Sequence, residues 1–306
     1  MSVPLDKSLL EEVALIKSGI NEAFIEKDWF VTQVIKILAE NQYLNFSIVF
    51  TGGTSLSKAH KIIERFSEDI DFRVIAPDLR GQGISKVQKV LSGFKNHVAE
   101  LLEQEFELLK VDAKDGNRYI IINLAYPTVC EPSEVLRPHI KLEFTLSDIL
   151  LPAIELPISS LINEVAGQAP EVEKITCINP VENAADKLSA IVWRIPSRIR
   201  GENDQQPDIV RHLHDLAKLS EHVLEHDRFA ELTKLTMERD DDRAEQIKGL
   251  SVPEKLTMVI EILETDSKYP QEYDTYVKEM IHNHSVPVPS YGEALNRLKL
   301  LIGKIK

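Results

Sequence analysis

The sequence predicts an α+β protein in which an N-terminal mixed sheet with flanking helices is followed by a predominantly helical C-terminal domain. Short runs with two-residue alternation of apolar and polar residues are concentrated in the first half of the chain. Apolar residues at helical spacing dominate after about residue 155. Only 12 of the 306 residues are glycine, so signals for tight turns are few. We therefore expect two domains, residues 1–155 and 156–306.

The first half begins with helices and continues as alternating strands and helices. Apolar spacing predicts two helices within the first forty-odd residues, and further helices around 55–63 and 87–109. Strands are expected at 47–51, 70–75, 118–126 and 139–146. In the second of these strands, apolar residues alternate with Asp69, Asp71 and Arg73. One face of this strand is thus apolar and the other charged.

The second half carries mainly helical patterns. After a possible last strand at 174–178, helices are expected over 184–193, 209–224, 229–237, 255–263 and 294–302. The first of these helices has a clear start, because Asn179 is a suitable N-cap and Pro180 suits the first turn. Glu182 stands where the acid of a capping box belongs. Pro196 is expected to end the helix.

Charge and cysteine content narrow the class of protein. With 49 acidic residues against 36 Lys and Arg, the net charge is -13, which excludes a protein that binds nucleic acid through a global positive field. Cys130 and Cys177 lack metal-site spacing, which favours reduced thiols inside a cell. The N-terminus does not resemble a signal peptide, and the apolar stretch 149–162 is too short and too broken to span a bilayer. We expect a soluble, cytoplasmic protein.

The segment 51–72 holds a pair of carboxylates suited to metal binding. Asp69 and Asp71 lie two residues apart on a predicted strand, so both project from the same face, where hard oxygen ligands could hold Mg²⁺. A two-metal site for in-line displacement usually needs a third carboxylate on a neighbouring strand. Glu143 is the candidate, because its strand phase places it opposite the apolar face. Taken alone, such a pair of aspartates is more often part of a solvated strand face.

A Gly-Gly turn follows the first predicted strand and opens a helix. Glycines let backbone amides approach a phosphate, and a helix N-terminus supplies partial positive charge. The hydroxyls of Thr54 and Ser55 could add hydrogen bonds. The combination of strand, Gly52–Gly53 turn, helix, paired aspartates and a later acid favours phosphoryl or nucleotidyl transfer.

At this point the sequence resembles the nucleotidyltransferase superfamily fold, specifically the AbiEii-type toxins, which include the MenT toxins of toxin–antitoxin and phage-defence systems. The resemblance is carried by IEKDWFVTQV (25–34), GGTSLSK (52–58), RFSEDIDF (65–72), NPVENAADKLSAIVWR (179–194) and RHLHDL (211–216). It covers about residues 25–216, and the last ninety residues are similar only in being helical.

The resemblance implies metal-dependent transfer of a nucleotide from an NTP to an acceptor, which in relatives includes the 3′ end of tRNA. Ser67, Asp69, Lys187 and Asp215 match the family's essential positions, and Asp71 would complete the metal pair of Mg²⁺ or Mn²⁺. Lys187 would contact the triphosphate, and Asp215 would orient the lysine or the acceptor. The expected nucleotide-binding residues are Gly52, Gly53, Thr54, Ser55, Lys58, Lys187 and Arg194.

Helical spacing agrees with part of this assignment. Lys187 and Arg194 are seven residues apart and share a helix face, where both could meet a triphosphate. Asp215 lies four residues after Arg211, so the two can pair. Residues 187–200 carry four basic residues and no acid, and Arg198 and Arg200 could bind an RNA end, although a solvated loop explains them equally well.

The leading hypothesis is a toxin that modifies RNA, with tRNA as the acceptor and a cognate antitoxin encoded nearby. One alternative keeps the fold but transfers the nucleotide to a protein or a small molecule. Another is a catalytically silent protein that binds an NTP or a partner. Without the resemblance, Lys187 would be interpreted as a solvated helix lysine and Asp215 as no more than the helical partner of Arg211.

Overall fold

The structure is a computed structural model that describes residues 3–17, 19–131, 133, 135–200, 209–281 and 286–305. The chain divides into two compact units, one of residues Met1–Lys61 and Phe66–Ile178 and one of residues Ile62–Arg65 and Asn179–Lys306. The first contains a mixed sheet with helices and the second is helical, which confirms the predicted α+β class. Within the described ranges, no helix is long and apolar enough to cross a membrane.

The first unit contains one seven-stranded sheet. Its strands are β1 (Ser47–Thr51), β2 (Asp69–Ile75), β3 (Glu107–Lys114), β4 (Tyr119–Ala125), β5 (Ile140–Leu146), β6 (Ile154–Ile158) and β7 (Val172–Cys177). Its helices are α1 (Lys7–Ile16), α2 (Glu22–Ala39), α3 (Gly52–Thr54), α4 (Ile84–Glu103) and α5 (Leu161–Ala166). A π-helical turn, Ser55–Ala59, follows α3 where the sequence predicts a longer helix. The strand β6, which spans residue 155, and the later elements α5 and β7 belong to this unit.

Strand β2 lies at the centre of the sheet, whose order is β3-β4-β5-β2-β1-β7-β6. It pairs antiparallel with β1 and parallel with β5. The apolar side chains of β2 are buried with aromatic rings from its neighbours, and Phe72 packs 5.3 Å from Phe50 and 5.5 Å from Phe144 between ring centroids. Burying this face directs the alternate residues of β2, which include both aspartates, to the opposite face of the sheet.

Two strands of this sheet, β3 and β6, were not predicted. The sequence interpretation extends a helix to residue 109, whereas α4 ends at Glu103 and β3 begins at Glu107. Strand β3 is an edge strand with mostly exposed residues, so it lacks the alternation of a half-buried strand. Strand β6 is the other edge and contains Pro157, which lies at an irregularity in its pairing with β7. Proline is tolerated on edge strands and at irregularities, because the backbone N–H that it lacks is not needed there for pairing with a neighbouring strand.

The second unit is built from α6 (Pro180–Ser197), α7 (Val210–Val223), α8 (Phe229–Arg239), α9 (Val252–Thr265), α10 (Lys268–Met280) and α11 (Tyr291–Ile305). The predicted start of α6 is confirmed, because the side chain of Asn179 accepts a hydrogen bond from the Val181 N–H at 3.0 Å. Pro196, which the sequence predicts as the end of the helix, lies inside its last turn, and α6 ends one residue beyond it at Ser197. Helix α10 was not predicted. Its buried side chains include two tyrosines, Tyr269 and Tyr273, rather than an aliphatic stripe.

Candidate active site

The carboxylates predicted on adjacent strands lie at matching positions of the sheet. Asp69 and Asp71 alternate with apolar residues along β2, and the parallel register pairs Asp71 with Glu143 of β5. Asp69 is opposite Lys141 in the same register. The strand phase inferred for Glu143 therefore brings it beside Asp71, on the face of the sheet that carries both aspartates. Three hard oxygen donors of the kind that Mg²⁺ or Mn²⁺ prefers are thus carried on two neighbouring strands.

Gly52 makes a close approach that other residues could not make. Its φ of +76° lies in the left-handed region, and a Cβ at this position would overlap Oδ2 of Asp71 and lie 2.8 Å from Cγ. The absence of a side chain thus lets the backbone of the Gly-Gly turn reach the carboxylate of β2. The Gly-Gly turn and the Asp71 carboxylate therefore lie against each other, as the succession of strand, Gly-Gly turn, helix and paired aspartates predicts.

Replacing Gly52 with alanine should disturb both the turn and Asp71. We expect a loss of about 1–3 kcal/mol in the free energy of unfolding, from left-handed strain and the overlap. Displacing Asp71 should also lower transferase activity about 10²-fold. Urea unfolding and initial rates measure the two effects.

Gly81→Ala is the matched control, because Gly81 also has a positive φ, +72°, but a Cβ added there would meet no atom within 4 Å. It should show backbone strain without loss of activity. Equal activity in the two variants would contradict the role given to the close approach.

The side chains predicted after the Gly-Gly turn make contacts within the protein. Thr54 is fully buried and its hydroxyl donates to the carbonyl of Asp69, which ties α3 to β2. Ser55 is also buried. Lys58 is buried as well, and its ammonium forms an ion pair with Asp28 of α2. The contact of Lys58 with a nucleotide stays a prediction, and its described partner is a carboxylate. Ser67 is half-buried and lies in the segment just before β2.

Two cations lie against the candidate metal ligands. The guanidinium of Arg137 contacts the carboxylate of Asp69, and the ammonium of Lys141 contacts that of Glu143. In the part of the chain that the structure describes, no three His, Cys, Asp or Glu side chains are grouped to bind a metal ion. The donor types and the strand positions suit a divalent cation, while two of the three carboxylates are held by basic side chains.

Tyr119 is a further member of this cluster that the sequence interpretation missed. It stands at the start of β4, next to β5, and its phenol hydrogen-bonds to Glu143. Burial raises the pKa of Tyr119 far above its usual value, and the charges of Glu143, Asp71 and Asp69 add to this shift. The phenol therefore stays protonated and can orient Glu143 as a donor. A tyrosine in an alternating strand is common, so no local signal distinguishes it.

The second unit brings together Lys187 and Asp215, the aspartate for which the resemblance predicts that it orients either the lysine or the acceptor. Lys187 Nζ lies 2.7 Å from Asp215 Oδ2, and the aspartate side chain is fully buried. Arg65, which the sequence interpretation did not place, binds the same carboxylate with two hydrogen bonds, Nε to Oδ1 at 2.6 Å and Nη2 to Oδ2 at 2.7 Å. One buried carboxylate thus serves two buried cations.

The charges in this cluster shift each other's protonation. Burial alone would raise the pKa of Asp215, but the charges of Arg65 and Lys187 and hydrogen bonds from Arg65 and His214 hold it well below the usual range. Burial lowers the pKa of Lys187, and the charge of Asp215 opposes that change. An ionised Asp215 therefore supports a charged ammonium in a buried position.

The other predicted cations of α6 and its C-terminal end contact protein groups. The guanidinium of Arg194 lies 5.0 Å from the Trp193 ring centroid. Arg198 binds Glu272 of α10 with two hydrogen bonds, at 2.7 and 3.1 Å. Arg200 contacts the carboxylates of Glu272 and Asp266 and lies 4.6 Å from the Tyr269 ring centroid. RNA binding by Arg198 and Arg200 stays a prediction, and a phosphate would have to compete with these carboxylates.

Comparison with known proteins identifies the family. The sequence profile described as "Nucleotidyl transferase AbiEii toxin, Type IV TA system" matches residues 36–297. Among solved structures, MenT4, a nucleotidyltransferase toxin from Mycobacterium tuberculosis H37Rv, is similar at 21% sequence identity with a TM-score of 0.62, over 96% of this chain and 89% of that chain. That likeness shows the fold. No curated protein matches the chain. Since the profile spans most of the sequence, the chain belongs to the AbiEii family of nucleotidyltransferase toxins of type IV toxin–antitoxin systems.

Proposed function

We propose that the protein transfers a nucleoside monophosphate from an NTP to an RNA acceptor, with the 3′ end of tRNA as the preferred site. One observation carries the proposal. In the register of two adjacent strands, Asp71 lies opposite Glu143 and two residues from Asp69, and the backbone of Gly52 closely approaches the Asp71 carboxylate. Carboxylates on adjacent strands next to a glycine turn suit phosphate chemistry, because metal ligands and phosphate-binding amides then lie together. Family membership supports the same reaction class.

Asp69, Asp71 and Glu143 would hold Mg²⁺ or Mn²⁺. When bound, such a cation lowers the charge on the phosphates and stabilises the attacking and leaving oxygens of the displacement. The protein's own contribution is to hold these three carboxylates in register, with the Tyr119 phenol donating to Glu143. The amides of Gly52 and Gly53 would bind phosphate oxygens, because glycine has no side chain to keep a ligand away from the backbone N–H groups.

In this proposal Lys187 contacts the triphosphate, and Asp215 orients the lysine or the acceptor. Their direct contact supports this pairing, because a buried carboxylate keeps the ammonium charged and limits its rotamers. Ser67, half-buried directly before β2, keeps its proposed role in catalysis.

The proposed RNA acceptor and antitoxin partner rest on the family and on the net charge of the chain. With a net charge of -13, an RNA acceptor would have to be bound through a short local footprint, so that binding falls steeply with salt. As a toxin of a type IV toxin–antitoxin system, the protein is proposed to block growth by modifying tRNA, to be countered by a cognate antitoxin encoded nearby, and to act in phage defence.

Labelling of an acceptor tests the proposed reaction. Purified protein is incubated with Mg²⁺, total RNA and each of the four NTPs labelled at the α-phosphate, with EDTA as the matched control. We expect label on a small RNA of tRNA size with at least one NTP, and none in EDTA. Label on a protein band or in an organic-soluble product would replace RNA as the acceptor. Nucleotide binding without label in any fraction would indicate a silent binding protein instead.

A further inference from the structure

Arg137 is a basic residue that no motif singles out, yet its guanidinium lies on the carboxylate of Asp69. We propose that Arg137 competes with the divalent cation for Asp69 and, once displaced, binds the phosphates of the incoming nucleotide. This inference rests on the proposed function, because it assumes that Asp69 is a metal ligand. The Arg137 side chain would then both lower the affinity of the site for the metal ion and contact the substrate.

Hydrogen bonds to its main chain hold Arg137 in place. Its N–H donates to Oε2 of Glu68 at 2.9 Å, and its carbonyl accepts from the ammonium of Lys27 at 2.7 Å. The Lys27 side chain is 0% exposed and forms an ion pair with Glu68. Both backbone groups of Arg137 are thus held by one largely buried ion pair, in which the Glu68 side chain is 12% exposed. Breaking a buried pair of this kind is costly, so the base of the arginine side chain stays fixed when its tip moves.

The segment that carries Arg137 is also held at its other end. This segment joins β4 to β5, and near its start the buried carboxylate of Glu26 accepts from the N–H of Val129 at 2.7 Å and from the hydroxyl of Thr128. Glu26 and Lys27 are consecutive residues of α2. One turn of α2 therefore holds the chain at Val129 and at Arg137, so the main chain at Arg137 is fixed while its guanidinium can move.

Competition for Asp69 follows from its charge and its lone pairs. A guanidinium and a divalent cation are both attracted to the Asp69 carboxylate, and Arg137 Nη1 also lies 3.8 Å from Oε1 of Glu68. If the arginine must leave before the metal binds, the apparent metal affinity is the intrinsic affinity multiplied by the fraction of protein in which Asp69 is released. Lys141 on Glu143 adds a second contact of the same type.

A released guanidinium has a natural second ligand. The side chain of Arg137 is 25% exposed, so it lies partly at the solvent boundary beside the Asp69 carboxylate. A nucleotide brings a triphosphate to the same carboxylates, and the planar fork of arginine matches phosphate oxygens. Arg137 would thus exchange its contact with the Asp69 carboxylate for a contact with the phosphate oxygens of the nucleotide. Its removal should strengthen metal binding and weaken nucleotide binding, two effects of opposite sign.

Binding measurements on the full chain test the proposal. Free Mn²⁺ is titrated against wild type, R137Q and R137K and followed by electron paramagnetic resonance, first without nucleotide. The Kd of a non-hydrolysable ATP analogue is then measured at saturating Mn²⁺. We expect R137Q to bind Mn²⁺ about 3–10-fold more tightly and the analogue about 10-fold more weakly. R80Q is the control, since Arg80 pairs with Asp148 at the surface with 66% exposure, and it should change neither constant.

The outcomes separate this inference from the proposed function. Equal Mn²⁺ affinity in wild type and R137Q, or a parallel weakening of both ligands, would overturn the competition. Absence of Mn²⁺ binding in wild type would overturn it together with the metal site of the proposed function. If R137Q does not fold, R137K decides the question, because it keeps the charge but not the fork. It should hold Mn²⁺ near the wild-type affinity and bind the analogue more weakly, and an unchanged analogue Kd would count against the phosphate contact.

Discussion

Replacing Asp215 with alanine is expected to lower the free energy of unfolding by about 3–5 kcal/mol, because Arg65 and Lys187 would remain buried without their shared counter-ion. Urea unfolding followed by circular dichroism measures the change. Asp242→Ala is the control, because the Asp242 side chain is 85% exposed in its pair with Lys248. A surface pair contributes about 0–1 kcal/mol. A similar loss in both variants would contradict the buried cluster.

The difference in unfolding free energy between wild type and D215A should change with pH in a direction that the pKa of Asp215 fixes. The pKa of Asp215 is well below its ordinary value of 3.8, so its contribution to stability is complete above pH 3.8 and is lost as the pH falls through the folded-state value. The difference between wild type and D215A should therefore be constant from neutral pH to about pH 5 and shrink only in strong acid. Unfolding curves at several pH values measure it. A difference that grows toward low pH would contradict the assignment.

Asp71→Asn is expected to abolish transfer while leaving the fold intact. The amide has the size of the carboxylate and fits beside Gly52, but it removes the charge that pairs with a divalent cation and lies opposite Glu143. We expect nucleotide transfer to fall by at least about 10²–10³-fold, the scale on which loss of one electrostatic contact to the transition state is measured. Initial rates of RNA labelling and the thermal midpoint are the two measurements.

Asp78→Asn is the control for this change, because Asp78 is an exposed acid of the same unit that accepts a hydrogen bond from Asn45. It should keep wild-type activity. If D71N retained more than about a tenth of the wild-type rate, Asp71 would not be a metal ligand. A large fall in the thermal midpoint of D71N would instead assign Asp71 to the fold.

The placement of the three carboxylates could be predicted because it depends on local periodicity. Alternation puts Asp69 and Asp71 on one face, and the apolar phase of β5 puts Glu143 on the same side. Two glycines before a helix predict a close backbone approach, which Gly52 makes. Strand phase is set by which side chains must be buried, so the sequence contains this information directly.

The contacts that complete these clusters depend on residues far apart in the chain. Arg137 reaches Asp69 across 68 positions, and Arg65 reaches Asp215 across 150. Arginine and tyrosine are common on surfaces and strands, and nothing near Arg137 or Tyr119 in the sequence indicates a carboxylate partner. The pairing of Arg198 and Arg200 with acids of α10 and the turn before it was missed for the same reason, together with that helix itself.

The pairing of Arg65 with Asp215 has a consequence for synthesis of the chain. Arg65 leaves the ribosome 150 residues before its counter-ion, a delay of about 8–30 s at about 5–20 residues per second. The residues Ile62–Arg65 belong to the second unit although they are made within the first. A nascent chain therefore cannot complete the second unit before α7 emerges, and a fragment beginning at Asn179 would lack one of the two cations of Asp215. An unfinished toxin would not contain the assembled Lys187 cluster.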